Sequence, residues 1–166
     1  MVVYLILAAR LREELENLGS VVLIARRSID GARRQSADRE VHVNSAALSL
    51  HSFYVGIERM FSAIAEEVDQ QIPTGPSWHS DLLSQMTYDL PSIRPAVLTT
   101  ETRKVLQDYR SFRHVVRNVY VYNLDPERVI ELVDELPTVF ETVTADIKRF
   151  LDFLDIAGQT PVNSES

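Results

Sequence analysis

The sequence predicts an all-α fold, an antiparallel helical bundle of about five helices. Three observations carry that reading. Apolar residues recur at three- and four-residue spacing through most of the chain. No convincing run alternates with the period of two that a half-buried strand needs. Proline and glycine gather at a few places and cut the chain into helix-length pieces.

The first piece, Val2 to about Ser28, has apolar positions at helical spacing, with Gly19 and Ser20 as an interior weak point. Gly31 to Glu40 is polar and rich in Arg and Asp, which predicts a loop or frayed end. A second long helix is expected from about Val43 to Gln71, with Leu50, Phe53, Tyr54, Ile57, Met60, Phe61, Ile64 and Val68 as its apolar set. Pro73-Thr74-Gly75-Pro76 ends it. Trp78 to Tyr88 predicts a short helix with Leu82, Leu83 and Met86 on one face, and Pro91 and Pro95 bracket a turn. Thr100 is the expected N-cap of a fourth helix, with Glu101 favourable in its first turn. Asp125-Pro126-Glu127 supplies an N-cap, an N1 proline and an acidic first turn for the last helix. That helix is expected to reach about Ile156, with a bend near Pro137. Residues 1–158 then form one helical domain, and 159–166 a polar, disordered tail.

Composition narrows the function. The 166 residues are 45% hydrophobic and 25% charged, ordinary values for a globular chain. There is no cysteine, so no disulfide or thiolate metal site is possible, which fits a cytoplasmic setting. The formal charge of -7 argues against a general nucleic-acid coating protein, so any RNA contact must come from a local basic patch. Met1 to Ala9 is apolar, but it is too short to span a bilayer and lacks the layout of a signal peptide. No membrane association is expected.

Such a patch lies on the fourth helix. At about 100° per residue, Arg103, Arg110, Arg113 and Arg117 fall within roughly an 80° sector. Val105, Tyr109, Phe112, Val116 and Val119 occupy a separate apolar sector. One stripe packs and the other presents planar donor forks that match phosphate. Such a stripe is also consistent with a solvated face, or with pairing to acidic residues of the last helix: Glu127, Glu131, Asp134, Glu135, Glu141 and Asp146.

Common catalytic signatures are absent. There is no glycine-rich phosphate loop, no histidine pair at i, i+4 and no metal-ligand spacing, so neither metal nor cofactor is expected. His42, His51 and His79 read as surface or interface residues, with His79 helping to cap the helix after Trp78. Trp78 reads as a packing residue.

The segment Phe112-Arg113-His114-Val115-Val116-Arg117-Asn118-Val119-Tyr120 resembles the Arg-x4-His-x-Tyr signature of HEPN-domain toxins of the HepT type. Phe53-Tyr54-Val55-Gly56-Ile57-Glu58-Arg59 is similar to that family's second helix, and Trp78 to Met86 to its short third helix. Arg94 to Leu98 resembles the lead-in to the motif, and Leu124 to Arg128 its exit. The first 40 residues match by helix pattern only.

The resemblance implies a small helical ribonuclease acting as a homodimer, with motif helices of two subunits meeting across a metal-independent site. By position, Arg113 is the motif arginine that binds the scissile phosphate of RNA, with Arg103, Arg110 and Arg117 as further RNA contacts. Tyr120 is the motif tyrosine, which an MntA-type nucleotidyltransferase antitoxin modifies by AMPylation to silence the nuclease. Its alternative is a core or interface aromatic, but a wheel position about 20° from Arg113 favours a phenol beside the cleft.

The chain departs from the motif where it carries Asn118 in place of histidine. Asparagine hydrogen-bonds a phosphate or hydroxyl but does not titrate near pH 7. Three accounts fit: a relative with weak or no nuclease activity, an inactivating substitution, or transfer of the role to His114. The alternative to a ribonuclease toxin is therefore a catalytically inactive HEPN module that binds a nucleotidyltransferase, nucleotide or RNA. A third reading is a helical bundle whose basic face serves only as a dimer interface.

Overall fold

The computed structural model describes residues 2–34, 37–120 and 123–159. Five helices follow in order: α1 (Val2–Arg34), α2 (Arg39–Glu67), α3 (Trp78–Gln85), α4 (Thr100–Asn118) and α5 (Pro126–Gln159). Among the described residues there is no strand, only an isolated antiparallel bridge between Leu90 and Arg94. The architecture is the all-α bundle that the periodicity predicts. The predicted polar tail, Thr160 to Ser166, lies outside the described residues.

The largest interface joins α1 to α2, two long antiparallel helices. Ser28 meets Ser45 at 3.0 Å, and Arg59 of α2 reaches Glu14 of α1 at 2.9 Å. The hairpin is tight enough to convert most of the expected loop into helix. Ile29, Gly31 and Ala32 are buried against α2, and a Cβ on Gly31 would come within 2.6 Å of the His42 ring. Packing of this kind overrides the polar composition of the segment, because most helical stability in a folded protein comes from tertiary contact. Gly19 breaks nothing either: Phe140 of α5 covers it, and a Cβ there would lie 3.6 Å from that ring.

Helix α5 lies along the hairpin, tied to α1 by Arg33–Asp134 and Arg12–Asp155 at 2.7 and 2.6 Å. It runs through Pro137 without ending. The core between these helices is built on Phe53, whose ring meets Tyr109 edge-on at 5.7 Å and Phe140 at 6.4 Å.

The short helix α3 stops at Gln85, earlier than the sequence predicts. A buried ion pair takes over there. Arg94, 3% exposed, grips both carboxylate oxygens of Asp69 at 2.5 and 2.8 Å and donates to the Tyr88, Gln85 and Pro95 carbonyls. The Met86 carbonyl accepts from Val97 and Leu98. This arm delivers the chain to α4 in a fixed place.

Helix α4 is capped by Thr99 rather than Thr100. The Thr99 hydroxyl accepts from the Thr102 amide at 3.1 Å, while its own amide donates to Asp146 Oδ2 at 3.0 Å. Asp146 is buried and also holds Arg149. A carboxylate of α5 thus sits at the positive end of α4.

Candidate active site

The buried face of α4 is Thr102, Leu106, Tyr109 and Phe112. Leu106 takes the inward place that the sequence assigns to Val105; Val105 and Val119 are exposed. The Tyr109 hydroxyl donates to the Leu132 carbonyl of α5 at 2.8 Å, which fixes the rotation of α4. With Tyr109 so fixed, Arg113 turns to α2. Four of the six acidic residues of α5 expected as partners are engaged elsewhere: Glu127 with Arg39, Asp134 with Arg33, Glu131 with Arg128 and Asp146 with Arg149.

What faces α4 from α2 is a polar stripe of His51, Tyr54 and Glu58. Spacings of three and four put these residues on one helix face. Glu58 is only 5% exposed. Its Oε1 meets the Arg113 guanidinium at 3.4 Å, and its Oε2 meets Nδ1 of His79 on α3. A buried carboxylate is tolerable only with partners of this kind. The His79 ring stacks on Trp78 with centroids 3.6 Å apart. One carboxylate therefore joins three helices at one point.

Arg113 is held but not saturated. Its Nε is buried and has no hydrogen-bond partner. Four buried side-chain polar atoms share that condition among the described residues, and three belong to this cleft: Arg113 Nε, His51 Nδ1 and the Tyr54 hydroxyl. Buried polar groups are rarely left unpaired, so each exception calls for an explanation.

The electrostatics agree with the geometry. Burial lowers the pKa of His51, Arg113 and Arg117 lower it further, and Glu58 opposes them. Burial, with Glu58, pushes the Tyr54 phenol well up against the pull of Arg110 and Arg113. Both rings are neutral at pH 7, and both sense Arg113.

The sequence-derived site residues divide into two groups. Arg103, Arg110 and Arg113 are half-buried, with Arg113 in the cleft. Arg117, His114 and Asn118 are exposed at the last turn of α4. The Asn118 side chain turns back on its own helix, donating to the His114 carbonyl at 2.7 Å and lying 3.4 Å from that residue's Nδ1. Short polar side chains compete for carbonyls in this way. The helix ends there, and Val119 is extended with φ -121° and ψ 154°. Tyr120 is consequently off the helix and 72% exposed, so its expected helical-wheel position beside Arg113 does not apply. Tyr122 lies outside the described residues.

The polar side of this cleft escaped the sequence reading. From the sequence Tyr54 belongs to the apolar stripe, His51 and His79 read as surface or interface residues with His79 helping to cap its helix, and Glu58 has no assigned role. The available signal was the spacing of 51, 54 and 58 within an otherwise apolar helix. Among the described residues, no group of three or more His, Cys, Asp or Glu side chains is placed to hold a metal ion. No described helix is long and apolar enough to cross a membrane.

A protein-family model described as "HepT-like protein" matches residues 45–154, a span that takes in the whole cleft. No curated protein and no solved structure matches the chain.

Proposed function

Because this chain belongs to the HepT-like family, a family of HEPN-type toxins, we propose that it is the ribonuclease component of a toxin–antitoxin pair. The observation that supports this best is Arg113, held by buried Glu58 with its Nε still unpartnered. An arginine so placed offers its remaining donors to a phosphodiester without having to be ordered first. Arg110 and Arg103 extend the cationic surface along α4, and exposed Arg117 adds to it at the helix end. The overall charge of -7 confines RNA to this face.

In this reading two copies pair through the α4 region to form the composite site, with an isologous interface. A nucleotidyltransferase antitoxin silences it by AMPylating Tyr120, whose 72% exposure makes it accessible to a partner enzyme. Asn118 does not titrate, so proton transfer falls to another side chain of the site.

The bonding of Asn118 to its own helix favours a second reading: a HEPN module that binds RNA, nucleotide or the antitoxin without cleaving. One experiment separates the two. Purified chain is incubated with labelled single-stranded RNA beside Arg113→Ala. Cleavage that Arg113→Ala abolishes supports the nuclease. Binding without cleavage, weakened in Arg113→Ala, supports the inactive module. Equal cleavage by both proteins removes this site from consideration.

A further inference from the structure

We infer that His79 of α3, oriented by Glu58, is the residue that moves the proton during RNA cleavage. This assignment rests on the nuclease reading. Its starting point is the carboxylate bridge: Glu58 touches Arg113 through one oxygen and His79 through the other, so the phosphate clamp and an imidazole are two arms of one group. His79 Nδ1 faces the carboxylate. Among the described residues its Nε2 has no hydrogen-bond partner and is not one of the buried unpartnered atoms, and the side chain is 22% exposed, so Nε2 is the open edge of the ring.

A carboxylate on one ring nitrogen fixes the tautomer with the proton on Nδ1 and leaves Nε2 as a base. Stacking on Trp78 fixes the ring plane. No other described histidine near the arginines has both features. His114 is exposed and has only an amide nitrogen at 3.4 Å. His51 has a buried, unpartnered Nδ1 and no carboxylate hydrogen bond. The charge that faces the ring is Glu58 from α2, whose other oxygen holds Arg113 of α4. Asp81 of α3 is occupied by Ser77.

The step balances without a further reactant. His79 Nε2 takes the proton of the RNA 2′-hydroxyl, and that oxygen bonds to phosphorus. The bond from phosphorus to the 5′-oxygen breaks, leaving a 2′,3′-cyclic phosphate. The 5′-oxygen takes a proton from water, and the imidazolium returns its own to solvent. The carboxylate of Glu58 stabilises the transient imidazolium, while Arg113 faces the phosphoryl oxygens.

The test measures cleavage of labelled single-stranded RNA across pH 5 to 9 by the full chain and by His79→Gln, His114→Gln and Glu58→Gln. His79→Gln is expected to lower the rate by about 100- to 10,000-fold and to erase the limb of the pH profile that a histidine base produces. His114→Gln is expected to keep both rate and profile. Glu58→Gln is expected to move the limb. Cleavage by His79→Gln with the original rate and profile overturns the assignment and leaves the nuclease reading standing. Absence of cleavage by the unsubstituted chain overturns both. Nitrogen NMR of the histidine rings gives a second readout that does not depend on how the variants fold. The neutral His79 ring is expected as the Nδ1–H tautomer, with its Nε2 signal shifting when a non-cleavable 2′-deoxy oligonucleotide is added. An Nε2–H tautomer, or no shift on saturation, overturns the assignment.

Discussion

Glu58 and Arg113 meet at 3.4 Å across the boundary between α2 and α4, with 93% of the glutamate side chain buried and the arginine still carrying an unpartnered Nε. An ion pair of this kind is poor evidence for stability, because desolvation cancels much of its attraction. It is better evidence for positioning. Arg113 is kept in one place by a charge that cannot itself reach solvent.

The pH dependence of stability carries a signature of His51. Its folded-state pKa lies below its ordinary 6.5, with burial as the main cause. The unfolded chain therefore binds more protons as pH falls through 6.5. The corresponding stability is complete above that value and is lost below it. Urea denaturation of His51→Gln at pH 7 and pH 5 is expected to show a smaller decline than the parent chain. An identical decline would show that other groups set the acid response.

The clamp between Arg94 and Asp69 is expected to dominate the stability of the arm between α3 and α4. Arg94→Ala leaves Asp69 buried and uncompensated at a cost of about 3–5 kcal/mol. Asp69→Ala leaves the buried guanidinium without a counter-charge, at a similar cost of about 3–5 kcal/mol. The double variant should lose much less than the sum, since the two residues share one interaction. Chemical denaturation midpoints measure all three, and additive losses would count against the pairing.

Position 118 is open to gain of function. Asn118→His restores a titratable group at the exposed end of α4, where its present amide only satisfies the His114 carbonyl. RNA cleavage is expected to rise by about 100-fold or more. The fold should be unaffected, because the residue is exposed. Initial rates on one RNA substrate decide it, and an unchanged rate would mean that position 118 lies outside the reacting geometry.

Tyr120 is expected to accept AMP from a cognate nucleotidyltransferase supplied with ATP and magnesium. The phosphodiester adds negative charge in the region of the arginines and competes with RNA for them. Intact-mass analysis should show AMP additions that disappear in Tyr120→Phe. Persistence of the adduct would move the modified residue elsewhere, with Tyr122 the first alternative.

Much of the fold was legible because long amphipathic helices state their period directly. The breaks at Pro73 to Pro76 and at Pro126 were equally plain. Gly31 to Arg34 misled, since their polar composition says nothing about the His42 ring waiting to pack on Gly31. Arg113 was legible through its motif, whereas its partners were not. Glu58 lies 55 residues upstream, and His79 belongs to a third helix. Which residues meet depends on the rotation of α4, set by Tyr109 and Leu132 rather than by any local pattern. Tyr120 was misplaced because the helix was extended two residues past its end at Asn118.

That separation along the chain bears on how the protein comes into being. Ribosomes deliver α1 and α2 first, and these two helices make each other's largest interface, so the hairpin has what it needs to form early. Glu58 is then in position with neither of its counterparts, and Arg113 remains unmade. The rotation of α4 depends on α5, which follows it in the chain, through the Tyr109 bond to Leu132. The cleft is consequently assembled only after α5 has followed α4. If the proposed nuclease function holds, the order of translation keeps a chain that lacks α5 harmless to the RNA of the machine producing it.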